Sequence, residues 1–219
     1  VNQYGADTLR FYLLSSPLMK GEDLNFTEAH VAELARKNIG RLDNVLAFYE
    51  LYKDSVAHEA RITDSPNILD RWIHARLHML INEVTDGYEK YELDRASKPI
   101  TDFIDDLSTW YTRRSRDRFK GDDETDRAHA LGAMRYVLRK LSKLMAPAMP
   151  FYAEHLFMRT HTESDPVSVH LTEWPAAGSV DKDLITTMSL VRNFATTGLK
   201  LRTEANIKVR QPLTSLTIK

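Results

Sequence analysis

The 219-residue chain sets 30 Lys and Arg against 31 Asp and Glu, with 42% hydrophobic and 28% charged residues. This composition belongs to a folded globular protein and not to a disordered tail, and near-zero net charge confines any polyanion site to a local patch. The absence of cysteine excludes disulfides and thiolate metal sites and agrees with a cytoplasmic setting, while no apolar run approaches the roughly 20 residues that span a bilayer.

Val1 stands where an initiator Met or signal peptide would begin, and Thr217-Ile-Lys219 closes the chain inside a strand-like run, so the sequence reads as a piece of a longer protein. Tyr4 to Leu14 has apolar residues at helical spacing and ends before Ser15-Ser16-Pro17, where the proline ring disfavours helix at the preceding residue. Leu24-Asn-Phe26 is a short extended link. Thr27 then caps a long helix to about Tyr52, with Val31, Leu34, Ala35, Leu42, Val45, Leu46 and Tyr49 as its inner stripe.

Residues 53–65 form a polar connection, and Pro66 suits the first turn of a second long helix carrying Leu69, Trp72, Ile73, Leu77, Leu80, Ile81, Val84 and Tyr88. A third runs from Leu93 to Lys120, with a kink or interruption expected at Pro99. Gly121 to Thr125 is a break. Leu131, Met134, Val137, Leu138, Leu141 and Met145 define a fourth helix, stopped by Ala146-Pro147, and Pro150 opens a shorter one to about Arg159. Beyond residue 160, Val167 to Leu171 alternates like a strand, 183–202 returns to helix, and Ile207 to Leu213 with Leu216-Thr-Ile218 reads as a small β element. The fold class is therefore mainly α, an up-and-down helical bundle with a small C-terminal α+β segment.

The third helix carries the chemistry. Leu107-Ser-Thr-Trp-Tyr-Thr-Arg-Arg-Ser-Arg-Asp-Arg-Phe-Lys120 runs an aromatic pair into a dense set of cations. At about 100° per residue, Arg114 and Arg118 continue the apolar side of Ile100, Phe103, Ile104, Leu107 and Tyr111, whereas Arg113, Arg116 and Lys120 fall opposite, beside Asp102, Asp105 and Asp106. Guanidinium forks on such a face suit a polyanion. A solvated helix end, where cations also suit the dipole, is the plainer account of the same residues.

Other candidates are weaker. His74 and His78 sit one turn apart without a third ligand, Asp102, Asp105 and Asp106 do not converge as an acid–base pair, and Lys140-Leu-Ser-Lys143 falls mid-helix instead of on a phosphate-binding loop. No nucleophile, base or metal set converges, so no catalytic site is expected within these residues.

Several stretches together resemble the class I isoleucyl-tRNA synthetases: Tyr4-Gly-Ala-Asp-Thr-Leu-Arg10, Ser15-Ser-Pro17 with Glu22-Asp-Leu-Asn-Phe26, Asp70-Arg-Trp-Ile73, and Leu107 to Arg116. Ala146-Pro-Ala-Met-Pro-Phe151 with Ala153-Glu154, Val169-His-Leu-Thr-Glu-Trp-Pro175 and Lys208-Val-Arg-Gln-Pro-Leu213 complete the series. The first and the Ala-Pro…Pro-Phe…Ala-Glu pattern are shared with the valine, leucine and methionine enzymes. The Trp-Tyr…Arg-Arg-Ser-Arg and Lys-Val-Arg-Gln-Pro-Leu runs are closer to the isoleucine enzyme.

The resemblance implies that residues 1–26 are a junction following a catalytic domain, 27–160 an anticodon-binding helical bundle, and 161–219 the start of the C-terminal region. Its implied partners are the anticodon stem-loop of tRNA-Ile and the catalytic domain of the same chain, in a monomer without membrane contact. Arg113, Arg116 and Lys120 are the first choices for phosphate contacts, with Arg114, Arg118 and Trp110 as further tRNA-binding candidates. Arg114 and Arg118 are alternatively partners of buried acids such as Glu83 or Asp70, and Trp110 is alternatively core. Lys37, Arg41, Lys208 and Arg210 are additional candidates for backbone contacts. No cofactor is expected in these residues; the parent enzyme would use ATP with Mg, and zinc belongs to its C-terminal extension. The competing readings are a helical protein-interaction domain, or the same domain of a valine or leucine enzyme.

Overall fold

Three helices of the bundle start where a side chain supplies a hydrogen-bond acceptor that the first turn lacks. In the computed structural model, which describes residues 2–215, Thr27 Oγ1 accepts from the His30 amide at 3.4 Å. This opens α2 (Glu28–Ala35), which passes through a π-helical turn at Arg36–Gly40 into α3 (Arg41–Tyr52). Asn67 caps α4 (Ile68–Glu89) through the Leu69 amide at 2.9 Å, so Pro66 lies before the helix and not in its first turn. Asp123 caps α7 (Glu124–Met145) through the Asp126 amide at 3.0 Å.

Between α4 and α7 lie α5 (Leu93–Asp105) and α6 (Arg113–Lys120), joined by a π-helical segment at Asp106–Thr112. α5 continues through Pro99 without the interruption that is one of the two outcomes expected there. Losing one N–H removes one rung of the ladder, and the departure from α geometry comes instead at 106–112. The turn between α4 and α5 places Tyr91 at φ 58°, with the Glu92 amide reaching back to the Gly87 carbonyl at 2.8 Å. This is the left-handed ending of a helix. A Cβ on Gly87 would lie 2.7 Å from the Ala96 nitrogen, so glycine lets α4 and α5 meet closely.

The chain divides into one unit through Val180 and a second beginning at Asp181. In the first, α2–α3, α4, α5–α6 and α7 alternate in direction. Asp70 at the start of α4 meets Tyr111 and Arg118, Gly87 at its end meets Ala96, and Arg118 meets Asp126 at the start of α7. The up-and-down bundle is thus as expected. Its core contains Trp72, Ile73, Leu77, Ile100, Phe103, Tyr111, Phe119, Leu138 and Phe157, each at most 1% exposed.

α1 (Gly5–Leu14) packs on α2, α5 and α8 (Pro150–Arg159). Asp7 of α1 caps α8 from a distant part of the chain, accepting the Tyr152 amide at 2.7 Å while also holding Arg10 at 2.7 Å. Gly132 of α7 lies under the 59–62 loop so closely that a Cβ would sit 1.8 Å from the Ala60 carbonyl oxygen.

The expected strand at 167–171 is corrected: Val169–Leu171 is a short 3₁₀ turn. Among the described residues no neighbouring strand pairs with it. Glu154 takes the Val169 amide at 2.8 Å and the Ser168 hydroxyl at 2.9 Å, satisfying the backbone without a sheet. Trp174 donates its indole N–H to Thr85 Oγ1 at 2.8 Å and meets the Tyr88 ring edge-on, pinning the following loop to α4.

The second unit contains α9 (Lys182–Glu204), capped by Asp181 through the Leu184 amide. The expected β element at 207–213 is likewise absent. The chain turns there, held by Arg202, which donates to the carbonyls of Lys208 and Gln211 at 3.0 and 2.8 Å. Leu216-Thr-Ile218 lies outside the described residues. Among those described there is no strand, and no helix is long and apolar enough to cross a membrane.

Candidate nucleic-acid interface

The π-helical segment decides which way the cations of α6 point. Thr112 Oγ1 donates to the Leu107 carbonyl at 2.7 Å, five residues back, where an α-helix would keep a four-residue spacing. The wider turn slips the helical phase by about one residue. Thr112, Ser115 and Phe119 consequently face the core, and Arg114, expected on the apolar side, is exposed.

Arg113, Arg116 and Lys120 are exposed, as their spacing predicts. Together with Arg114 and the half-buried Trp110 they occupy one continuous arc of about 160° around the helix, with Asp117 inside it. The Arg114 guanidinium lies 3.6 Å from the centroid of the Trp110 ring, and that of Arg116 lies 5.8 Å from the Phe48 ring. Each is a cation held over an aromatic face.

Arg118 points the other way. Its Nη1 and Nη2 donate to the two oxygens of Asp70 at 2.7 and 2.8 Å, and Nε and Nη2 reach Asp126 at 2.9 and 2.7 Å. Tyr111 and Ser65 complete the shell of Asp70 through hydroxyl donors at 2.8 and 2.6 Å. Burial and the adjacent carboxylate push the Tyr111 hydroxyl well up from its ordinary pKa. It therefore stays protonated and remains a donor. Of the acids weighed for Arg118, Asp70 is its partner.

Of the other acids on this run, Asp102 is exposed while Asp105 and Asp106 hold arginines. Asp106 is buried and accepts from Arg76 Nε at 2.9 Å, while Asp105 pairs with Arg41 at 2.9 Å. Lys37 pairs with Glu33 at 2.7 Å, and Lys208 and Arg210 lie exposed in the second unit. Sequence spacing could not locate the phase slip, since a π turn leaves no residue signature in an otherwise regular apolar pattern.

The His74 and His78 rings meet at 2.9 Å between Nε2 atoms, and His78 Nδ1 accepts the Gly178 amide at 2.6 Å. These contacts specify tautomers: with Nδ1 accepting, His78 carries its proton on Nε2 and donates to His74. Burial lowers the His78 pKa to about 4. Among the described residues no group of three His, Asp or Glu side chains is placed to hold a metal ion. Lys140 and Lys143 lie on α7, where Ser142 bonds the Arg139 carbonyl at 2.7 Å.

The bundle fold is shared with part of a larger solved chain. The LeuRS of Agrobacterium radiobacter K84, solved as a ternary complex with tRNA and LeuAMS, superposes with a TM-score of 0.53 at 21% identity, over 84% of this chain and 21% of that one. That likeness concerns the fold. Residues 70–218 match the family described as the anticodon-binding domain of tRNA ligase, and the chain belongs to that family. It is similar to isoleucine–tRNA ligases, at 38% identity over 100% of its length for Chlamydia trachomatis serovar D and 38% over 97% for Chlamydia muridarum. It spans 22% and 21% of those relatives' lengths.

Proposed function

We propose that this chain is the part of an isoleucine–tRNA ligase that holds the anticodon stem-loop of tRNA-Ile, within an enzyme that joins isoleucine to its tRNA at the expense of ATP. The observation that carries this reading is the exposed arc of Arg113, Arg116 and Lys120 on a helix whose orientation is held by the buried Arg118–Asp70 pair. Such an arc places cations at the spacing of a helix face against RNA phosphates, whose neutralisation releases counterions. Isoleucine is preferred as the amino acid because relatives at 36–38% identity carry that specificity in their names, whereas the leucine enzyme shares the fold at 21%.

In this reading adenylate formation, ATP and Mg belong to a catalytic domain of the same chain, zinc belongs to a C-terminal extension, and the enzyme works as a cytoplasmic monomer. The residues described here form the grip on the tRNA and carry out no bond making.

The test is a salt-series titration of this chain against stem-loops of isoleucine, leucine and valine tRNAs. The expected result is binding that favours the isoleucine loop and weakens steeply with salt. Arg113→Ala, Arg116→Ala and Lys120→Ala should each weaken all loops and reduce the salt slope by about one. Binding that ignores salt, or is untouched by the triple variant, would place the RNA contact elsewhere.

A further inference from the structure

Arg41, Arg76 and Arg118 each end on a carboxylate, whereas Arg114 has no carboxylate partner among the described residues and its guanidinium carbon lies 3.6 Å from the Trp110 ring centroid, against 5.8 Å for Arg116 over Phe48. The indole is half-buried and so forms a fixed support, and the guanidinium on it is exposed. The arrangement depends on the π segment. With unbroken α periodicity Arg114 would continue the seam of Leu107 and Tyr111, both 0% exposed, so the phase slip is what turns it outward.

We propose that the Trp110–Arg114 stack is a docking plate for one unpaired nucleobase of a bound RNA, the base lying against the outer face of the Arg114 guanidinium; this rests on the stem-loop reading above. Three physical points favour a base over a phosphate at this position. A guanidinium already stacked on one side offers a flat, weakly hydrated second face of the kind that unstacked bases occupy. Its side-chain freedom is spent before the ligand arrives, so little ordering cost remains on binding. Arg113, Arg116 and Lys120 lie on the same arc and supply backbone charge beside the plate, and stacking next to cations is how single strands are held. The edge donors of Arg114 remain available to the phosphate or base edge beside it.

The charge-keeping substitution Arg114→Lys separates a plate from a phosphate contact, since lysine retains the cation and lacks the plane. Stem-loops carrying 2-aminopurine at each loop position in turn would be titrated into this chain, together with a loopless duplex of the same stem. The expected result is quenching at one loop position. Arg114→Lys should abolish the quench and weaken the stem-loop by about tenfold, leaving the salt slope and duplex binding unchanged. Arg114→Ala should do the same with a slope lower by about one. Circular dichroism and urea midpoints matching the parent chain establish that both variants are folded.

The plate is overturned if Arg114→Lys keeps the quench and the affinity, if the duplex weakens as much as the stem-loop, or if no loop position is quenched while salt-dependent binding persists. Failure of stem-loop and duplex alike to bind the unaltered chain at low salt would instead remove the stem-loop reading, and the plate with it.

Discussion

Arg118 and Asp70, 48 residues apart, meet through two parallel N–H···O bonds of 2.7 and 2.8 Å, with Asp70 fully buried and the Arg118 side chain 10% exposed. The pair ties the end of α6 to the start of α4, and Asp126 extends it to α7. The outward cations of α6 are therefore oriented by an inward one.

Removing one partner of a buried ion pair strands the other charge, at a cost of about 3–5 kcal/mol. Asp70→Ala is expected to destabilise the bundle by that amount in urea unfolding. Arg118→Met, which leaves the fully buried Asp70 carboxylate without its cation, should cost at least as much, because Arg118 keeps Asp126 when Asp70 is removed. A single Asp70→Ala change that left the urea midpoint unmoved would show that water already satisfies this site.

Gly132→Ala tests the contact between α7 and the 59–62 loop. The added methyl would meet the Ala60 carbonyl oxygen at 1.8 Å, so the loop must move away and release its amide bond from Ala60 to the Ala128 carbonyl. A loss of about 1–3 kcal/mol is expected from overpacking, together with faster hydrogen exchange at the Ala60 amide. Unchanged exchange there would mean that α7 shifts instead.

Tyr91 sits at φ 58° and is 89% exposed, so its side chain contributes little packing in return for left-handed backbone. That conformation costs an L-residue about 1–2 kcal/mol, and glycine avoids it at an entropic cost of about 0.5–1 kcal/mol. Tyr91→Gly should therefore raise stability by about 0.5–1 kcal/mol, read from the urea midpoint at constant slope.

The histidine pair makes stability depend on pH. Burial lowers the pKa of His78 to about 4 and that of His74 in the same direction. Protonation of His78 at Nδ1 would also remove the acceptor of the Gly178 amide. Between the unfolded histidine value of about 6.5 and the folded value, the unfolded state binds more protons. Stability from this pair is thus complete above pH about 6.5, falls as pH drops towards about 4, and levels off below. In His74→Gln/His78→Gln the urea midpoint should change less across that window. An equal slope in both proteins would assign the pH dependence to other groups.

Much of this architecture could be read from residue order alone. The 3.6-residue apolar stripes located the long helices, Thr27 marked the start of α2, and Gly121 and Ala146-Pro147 marked breaks between elements. The exposure of Arg113, Arg116 and Lys120 followed from spacing, and runs such as Tyr4 to Arg10 and Leu107 to Arg116 carried the resemblance now supported by the family match. These are local properties: periodicity, capping and backbone restriction act within a few residues of one another.

The tertiary structure decided what depends on distant partners. The π turn at 106–112 exchanged the expected orientation of Arg114, so that it is exposed while Arg118 reaches Asp70. Asp106 faces Arg76 instead of solvent, Asp7 caps a helix 145 residues further on, and Val169–Leu171 turns because Glu154 satisfies a backbone that found no strand to pair with. Neither a helical phase slip nor a partner for a lone strand is encoded at the residue concerned. Each is set by whichever arrangement buries the most apolar surface with every buried charge and amide paired.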